Sequence, residues 1–210
     1  MKPTLYYAPG TCALATHIAF EEAGAEVDYV RVDLTKGENL TPSYLKLNPK
    51  GRVPLVVTER GPLTESPAIL AWIAQTWPHA KLAPLDDAWE LAQVNSFNSY
   101  LSGSLHGLAF AGVFRSARFA DCEAAQAAVK AKALRSVKEA FDLIESKLSP
   151  ERWVHGNAYT TSDAYLAVLF GWLALIDGAP GPFPKLSAHS TRVHARPAVQ
   201  RAVAAEKAPA

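Results

Sequence analysis

The sequence predicts a two-part fold, in which an α/β domain with a small mixed sheet precedes an all-helical domain. Short strand-like and helical stretches alternate up to residue 78, whereas no stretch beyond residue 87 shows strand alternation. The residues between them contain Pro84 and have no amphipathic period. We therefore expect domains at residues 1–78 and 88–210, joined by a linker at residues 79–87.

Seven elements are expected in the first domain, in the order βαβαββα. They are strands at Thr4–Tyr7 and Glu26–Val32, a helix at Cys12–Glu22 ended by Gly24, a short helix at Pro42–Leu47, a strand pair at Pro54–Thr58 and around Leu63, and a helix at Pro67–Thr76. The turn Glu59-Arg60-Gly61-Pro62 between the paired strands predicts a hairpin. The hairpin would add an antiparallel edge to an otherwise parallel sheet.

The second domain is predicted to be helical throughout. Between residues 91 and 108 one face carries apolar residues and another carries small or polar ones: Leu91, Val94, Leu101, Leu105 and Leu108 on the first, and Ser99, Gly103, His106 and Gly107 on the second. A long helix follows around residues 134–148. Thr160 and Asp163 form a variant capping box at the start of a buried apolar helix, and the tail from Glu206 is expected to fray.

Composition excludes several classes of function. With 210 residues, 49% of them hydrophobic, the chain can bury a large core. A formal charge of +1 without a basic run argues against nucleic acid as a partner. The apolar stretch at residues 164–176 is shorter than the about 20 residues of a membrane span, and the N-terminal apolar run is too short for a secretory signal. Two cysteines suit a reducing compartment, so we expect a cytoplasmic protein with no metal site and no membrane association.

Cys12 is the first candidate for chemistry, because it lies where a strand meets a helix after a Pro-Gly turn. Helix N-termini favour anions, and lowering the pKa of a thiol by about two units is worth ~2.7 kcal/mol. The residue three positions on is Ala15, so a Cys-x-x-Cys disulfide cannot form and a reacting partner thiol must come from another molecule. The alternative is a buried structural cysteine.

Two further stretches in the first domain suit an extended, zwitterionic ligand. Val53 precedes a proline at the entry to a strand, which leaves its backbone groups free to pair with a ligand. Ser66 is predicted as the N-cap of a helix with Pro67 at its first position, which favours a ligand carboxylate. Glu65 could hold a ligand ammonium. Taken singly, each stretch also has an ordinary structural explanation, and only their combination with Cys12 is specific.

These motifs together resemble the cytosolic glutathione transferases, and in particular their bacterial beta class. The matching runs are Leu5 to Cys12, Asn48 to Pro54, Glu65 to Ile69, and Thr160 to Tyr165. The resemblance covers nearly the whole chain and implies a thioredoxin-like first domain, a helical-bundle second domain and a homodimer. It also implies a cis Val53–Pro54 bond.

The resemblance implies glutathione as the co-substrate. Its cysteinyl backbone would pair with Val53, its γ-glutamyl end would lie on Glu65 and Ser66, and its sulfur would point at Cys12. Lys36 is similar to a family lysine that reaches the glycyl carboxylate, and it could equally be only solvated.

The second domain would supply further site residues. His106 is expected as a catalytic, ligand-contacting residue, with Ser99 and Gly103 beside it. Ser99 stands where relatives commonly carry asparagine, which puts that contact in doubt. An apolar acceptor pocket is expected between the domains near Tyr7, Pro9, His106, Phe110 and Phe114.

The function implied is a detoxifying transferase that activates the glutathione thiol for attack on a small apolar electrophile. Cys12 would either donate a hydrogen bond to the thiolate or form a mixed disulfide with glutathione, which would give thiol transferase or peroxidase activity. The alternatives are a glutathione-dependent dehalogenase, ether-cleaving lyase or isomerase, and a non-catalytic binding protein of the same fold.

Overall fold

The computed structural model describes residues 2–208 and contains two compact units. Described residues up to Leu91, together with those from Val193 onward, form the first unit, and Ala92–Arg192 form the second. The C-terminal residues were expected in the helical domain. They belong instead to the first unit, because helix α9 (Pro197–Lys207) packs on helix α1 (Ala13–Ala23). The boundary at residues 79–87 stays a prediction.

The first unit contains a four-stranded sheet. Its strands are β1 (Thr4–Tyr7), β2 (Asp28–Arg31), β3 (Leu55–Thr58) and β4 (Gly61–Thr64), in the order β2-β1-β3-β4. β1 pairs in parallel with β2, and β3 is antiparallel to both β1 and β4. The sheet is therefore mixed, as predicted. The expected antiparallel edge is confirmed, since the β3–β4 hairpin lies at one side of the sheet with β4 outermost. Within that hairpin β3 is the reversed strand, and its buried Leu55 and Val56 suit its inner position.

Three helices pack against this sheet, α1, α2 (Pro42–Leu47) and α3 (Ser66–Thr76), and α9 packs on α1. α1 begins one residue later than expected, with Cys12 as its N-cap, and ends at Gly24 with a φ of 61°, as predicted. α3 begins one residue earlier than expected, so Glu65 rather than Ser66 is its N-cap. The observed order βαβαββα confirms the predicted one.

The second unit is helical. Its elements are the end of α4 (Ala88–Tyr100), a π-helical segment (Leu101–Phe110), α5 (Ala111–Phe114), α6 (Glu123–Lys147), α7 (Thr161–Gly171) and most of α8 (Pro184–His194). In the part of the chain that the structure describes, no helix is long and apolar enough to cross a membrane.

The π-helical segment corrects the predicted apolar face. Leu101 and Leu105 are fully buried as expected, but Leu108 is 63% exposed and Phe110 is buried in its place. A π-helical turn bonds residue i to i+5, so the buried face advances by more than the three or four residues of an α-helix. Gly107 fits this geometry, since a Cβ there would lie 2.9 Å from the carbonyl oxygen of Ser102.

The predicted capping box at the start of α7 is confirmed. The buried Asp163 carboxylate accepts the backbone N–H of Thr160 at 2.8 Å. It also accepts the backbone N–H of Val154 and lies 2.8 Å from Nε2 of the buried His189. Asp163 therefore joins the start of α7 to the preceding loop and to α8.

Candidate functional site

The strand register brings three loops of the first unit to one edge of the sheet. Tyr6 pairs with Leu55, and Leu55 pairs with Thr64. The segment after β1, the segment before β3 and the segment after β4 therefore all leave the sheet at the same end. This end of the sheet therefore carries Cys12 after β1, Val53 before β3 and Glu65 after β4. The sequence motifs predicted that these three residues bind a common ligand.

Cys12 lies at the N-terminus of the 11-residue helix α1 and is 7% exposed. Its Sγ donates a long hydrogen bond of 3.9 Å to the carbonyl oxygen of Val53. The preceding turn is ordered by Thr11, whose hydroxyl donates to the Ala8 carbonyl at 2.7 Å and accepts the Ala13 N–H at 3.3 Å. The thiol is thus held beside Val53, at the positive end of the helix.

Val53 precedes a cis bond to Pro54, as the family resemblance implied. The loop before it is fixed by side chains that the sequence analysis did not single out. Asn48 Nδ2 and the Tyr44 hydroxyl both donate to the Arg52 carbonyl at 2.7 Å. The Asn48-Pro49 pair, a turn signal, was the feature that could have identified this anchor.

Glu65 has a φ of 73°, a conformation that is strained for any residue with a side chain and costs about 1–3 kcal/mol. Its carboxylate forms an ion pair with Lys50 Nζ at 2.5 Å, and Lys50 also donates to the Thr64 hydroxyl. Strain of this kind persists where the surrounding structure requires it, often at a ligand site. A ligand cation could therefore bind the Glu65 carboxylate only beside the Lys50 ammonium or in its place.

The N-terminus of α3 is an uncapped helix end. Ser66 is buried, no described side chain caps the terminus, and Pro67 has no N–H. The remaining backbone donors of the first turn, on Ser66 and Ala68, face the same end of an 11-residue helix. Such a terminus suits a carboxylate.

Lys36 lies in the loop after β2 and its side chain is 76% exposed. Its ammonium lies 3.3 Å from the Asp33 carboxylate. The hydroxyl and N–H of Thr35 and the N–H of Lys36 also donate to Asp33 and hold the pKa of that carboxyl at about 2. Because β2 runs parallel to β1, the loop leaves the sheet at the same end as Cys12.

The candidates from the second unit lie at the end of α4 and in the π-helical segment that follows it. Ser99 and Gly103 are exposed, and a Cβ added at Gly103 would meet no atom within 4 Å. His106 is half-buried, and its ring lies edge-on to Trp172 with 4.9 Å between ring centroids. The roles of these three residues stay predictions.

Glu206 is a buried carboxylate that the sequence analysis missed. The expectation that the chain frays from Glu206 is wrong for the residues the structure describes, since α9 continues to Lys207 and Glu206 is only 7% exposed. Its Oε2 accepts the Gly10 N–H at 3.1 Å. Burial raises the pKa of Glu206 to about 7, although the Gly10 N–H and the charge of Arg31 oppose this. The signal was its spacing from Val199 and Ala202, which places it on the apolar face of α9.

His17 is a second buried titratable residue that was not predicted. It is 1% exposed, stacks on Tyr29 with 4.2 Å between centroids and meets Tyr7 edge-on at 5.5 Å. Burial lowers the pKa of His17 to about 4, so the ring is neutral at physiological pH. Within residues 2–208, no group of three or more His, Cys, Asp or Glu residues is placed to hold a metal ion.

Comparisons with known proteins agree with this arrangement. The family model "Glutathione S-transferase, N-terminal domain" matches residues 1–75, and "Glutathione S-transferase, C-terminal domain" matches residues 105–197. The chain is 33% identical to glutathione S-transferase GstA of Escherichia coli O157:H7, over 96% of this chain and 98% of that protein.

Solved structures give the same result. A glutathione transferase homologue from Sulfitobacter with bound glutathione matches with a TM-score of 0.87 and 34% identity, over 95% of this chain and 96% of the other. The bacterial beta class glutathione S-transferase of Sphingomonas chungbukensis matches with a TM-score of 0.84 and 35% identity, over 97% and 98% of the two chains.

Proposed function

The chain belongs to the glutathione S-transferase family, and from this premise we propose that its first unit binds glutathione at the sheet edge formed by Cys12, Val53, Glu65 and Ser66. The protein is an enzyme that uses glutathione as co-substrate. The observation that carries the proposed site is the 3.9 Å contact from Cys12 Sγ to the Val53 carbonyl oxygen. A cysteinyl residue paired with the Val53 backbone would have its sulfur beside Cys12.

The γ-glutamyl end of glutathione carries a carboxylate and an ammonium, and both would bind at the residues that follow β4. Its carboxylate would accept the backbone N–H groups at the start of α3, where Ser66 is buried. Its ammonium would join Lys50 at the Glu65 carboxylate, or replace it there. The ion pair between Lys50 and Glu65 is half exposed, so exchanging one cation for the other costs little.

The glycyl carboxylate is assigned to Lys36. This lysine is exposed, and its loop leaves the sheet at the end where Cys12 lies. Its pairing with Asp33 has the long N–O distance of 3.3 Å and is open to solvent on the Lys36 side, so the ion pair offers little resistance to a ligand carboxylate.

Cys12 would act as a hydrogen-bond donor to the bound glutathione sulfur. The thiol already donates to an oxygen in this structure, and a glutathione thiolate would be the stronger acceptor. The positive end of α1 would add to the stabilisation of that thiolate. The thiolate would then attack a small apolar electrophile.

His106 is proposed as a ligand-contacting catalytic residue, with Ser99 and Gly103 as further ligand-contacting residues. The half-buried ring of His106 against Trp172 and the open space at Gly103 support this assignment. A homodimer is proposed from the family, and sedimentation at several protein concentrations tests it.

A second activity follows from the position of Cys12 at a helix N-terminus, which favours its thiolate as well. With glutathione disulfide as oxidant, the Cys12 thiolate would attack one sulfur and break the S–S bond. One glutathione would be left on Cys12 as a mixed disulfide, and the other would leave as a thiolate. A second glutathione thiolate would attack the glutathione sulfur of this mixed disulfide, which forms glutathione disulfide and releases the Cys12 thiolate.

Conjugation of glutathione to an aryl halide tests the first role, and the intact mass of protein treated with glutathione disulfide tests the second. We expect C12A to lose about tenfold in conjugation rate, as one donor to a developing charge contributes at least that much. The control is C122A, which removes the exposed Cys122 and should conjugate normally. Full conjugation by C12A would overturn the donor role. In C122A, where Cys12 is the remaining cysteine, failure to gain a glutathionyl mass would overturn the mixed disulfide.

A further inference from the structure

Glu206 reaches from the C-terminal helix to the turn that precedes Cys12. Its Oε2 accepts the N–H of Gly10 at 3.1 Å, and the two residues are 196 positions apart in the chain. Gly10 itself lies two residues before Cys12. Gly10 has a φ of 73°, so it is the residue at which this turn changes direction. The other side of the same turn is held by Thr11 through the Ala8 carbonyl.

We propose that Glu206 is a positioning residue for Cys12, acting through the backbone of Gly10. By holding that N–H, the carboxylate fixes the turn from Ala8 to Cys12, and with it the distance between Sγ and the Val53 carbonyl. The consequence for glutathione rests on the proposed function, whereas the contact with Gly10 does not.

A carboxylate is a costly choice for a buried position unless its oxygens serve as hydrogen-bond acceptors. The neighbouring residues on this face of α9, Val199 and Ala202, are fully buried and apolar. The second oxygen of Glu206, Oε1, has no hydrogen-bond partner among residues 2–208. An apolar side chain would avoid this desolvation cost and pack equally well. We infer that a carboxylate is present here because it accepts the Gly10 N–H.

Docking of α9 does not need Glu206. Arg196 forms a bidentate ion pair with Glu22, and Arg201 pairs with Glu21 at 2.7 Å, so two ion pairs already join this end of the chain to α1. Both pairs are made with the last turn of α1, at Glu21 and Glu22, whereas Cys12 lies at its first turn. Arg201 therefore provides a control that weakens the same interface without touching Gly10.

The groups that face Glu206 come from two strands. Tyr7 of β1 and Arg31 of β2 both interact with its charge. The Arg31 guanidinium donates to the Ala208 carbonyl at 2.9 Å, which holds this cation at the end of α9. On α1, His17, whose ring meets that of Tyr7, is neutral and adds no charge to this region.

The test compares E206A, E206Q and R201A, all in a C122S background so that Cys12 is the cysteine that reacts. Hydrogen exchange of the Gly10 amide, alkylation of Cys12 by iodoacetamide, and KM and kcat for glutathione are measured. In E206A we expect Gly10 exchange, Cys12 alkylation and the KM to rise by about tenfold, with kcat changed less. E206Q should restore all three to within about threefold of the parent, because the amide oxygen still accepts the Gly10 N–H.

Equal effects of E206A and R201A on all three readouts would overturn the proposal, since Glu206 would then only dock the helix. Failure of E206Q to restore Gly10 protection would also overturn it. If the parent does not bind glutathione, the proposed function fails, whereas the exchange and alkylation readouts still decide the role of Glu206.

Discussion

Replacing Glu206 with glutamine should change how the stability of the first unit depends on pH. Burial raises the pKa of this carboxyl from 4.5 to about 7. The folded state therefore holds the proton more tightly than the unfolded state between these values. The stabilisation from this group is fully present below the unfolded pKa and is lost as pH rises through about 7.

The size of the effect follows from the distance between the two pKa values. Each pH unit corresponds to about 1.4 kcal/mol, so the full change is ~3 kcal/mol. Most of that loss in the free energy of unfolding, ~2.5 kcal/mol, falls between about pH 5 and about pH 8. Glutamine has nearly the same shape but does not titrate, so E206Q should not show this loss.

Urea unfolding of wild type and E206Q at both pH values measures the difference. Hydrogen exchange in β1 and β3 reports the first unit separately from the second. Titration of other groups, including His17, is common to both proteins and cancels in the comparison. We expect E206Q to gain ~2.5 kcal/mol relative to wild type on going from about pH 5 to about pH 8. Parallel pH dependences would refute the burial argument.

Three further substitutions test other parts of the account. E65G should relieve the strain of the φ of 73° and raise the unfolding free energy by ~1 kcal/mol, while calorimetry shows glutathione affinity falling about tenfold or more; unchanged affinity would remove Glu65 from the site. H17L should abolish the part of the wild-type loss of unfolding free energy at acidic pH that comes from His17. The folded pKa of His17 is about 4, so its contribution is lost as pH falls from about 6.5 to about 4, and wild type should lose ~2 kcal/mol more than H17L between about pH 7 and about pH 4.5 in urea titrations. D163A should destabilise the second unit by ~3 kcal/mol or more, because it leaves the Thr160 and Val154 N–H groups without their acceptor; an unchanged melting temperature would contradict this.

The local elements of the first unit were predictable because their signals are local. Gly24 ends α1, and Pro67 marks the start of α3 to within one residue. The loops that carry Cys12 and Val53 each follow a Pro or Gly signal in the sequence. The contact between them then follows from how β1 pairs with β3.

Other features depend on contacts that no local pattern contains. The place of β3 inside the sheet follows from which strand it pairs with, and hairpin signals say nothing about that. Leu108 is exposed because the helix widens at residues 101–110, a change in period that an α-helical pattern cannot show. The contact between Glu206 and Gly10 joins residues 196 apart, so only the fold brings them together.

The most direct test of the site is the thiolate absorbance that appears when reduced glutathione is titrated into the protein near neutral pH. Free thiols have a pKa of about 8.5, so an unbound ligand contributes little signal there. The account predicts a saturable thiolate signal in wild type, loss of saturation at the same glutathione concentrations in E65A, and a shift of the bound thiol to higher pKa in C12A. A signal that never saturates in wild type, or one unchanged by both substitutions, would contradict it.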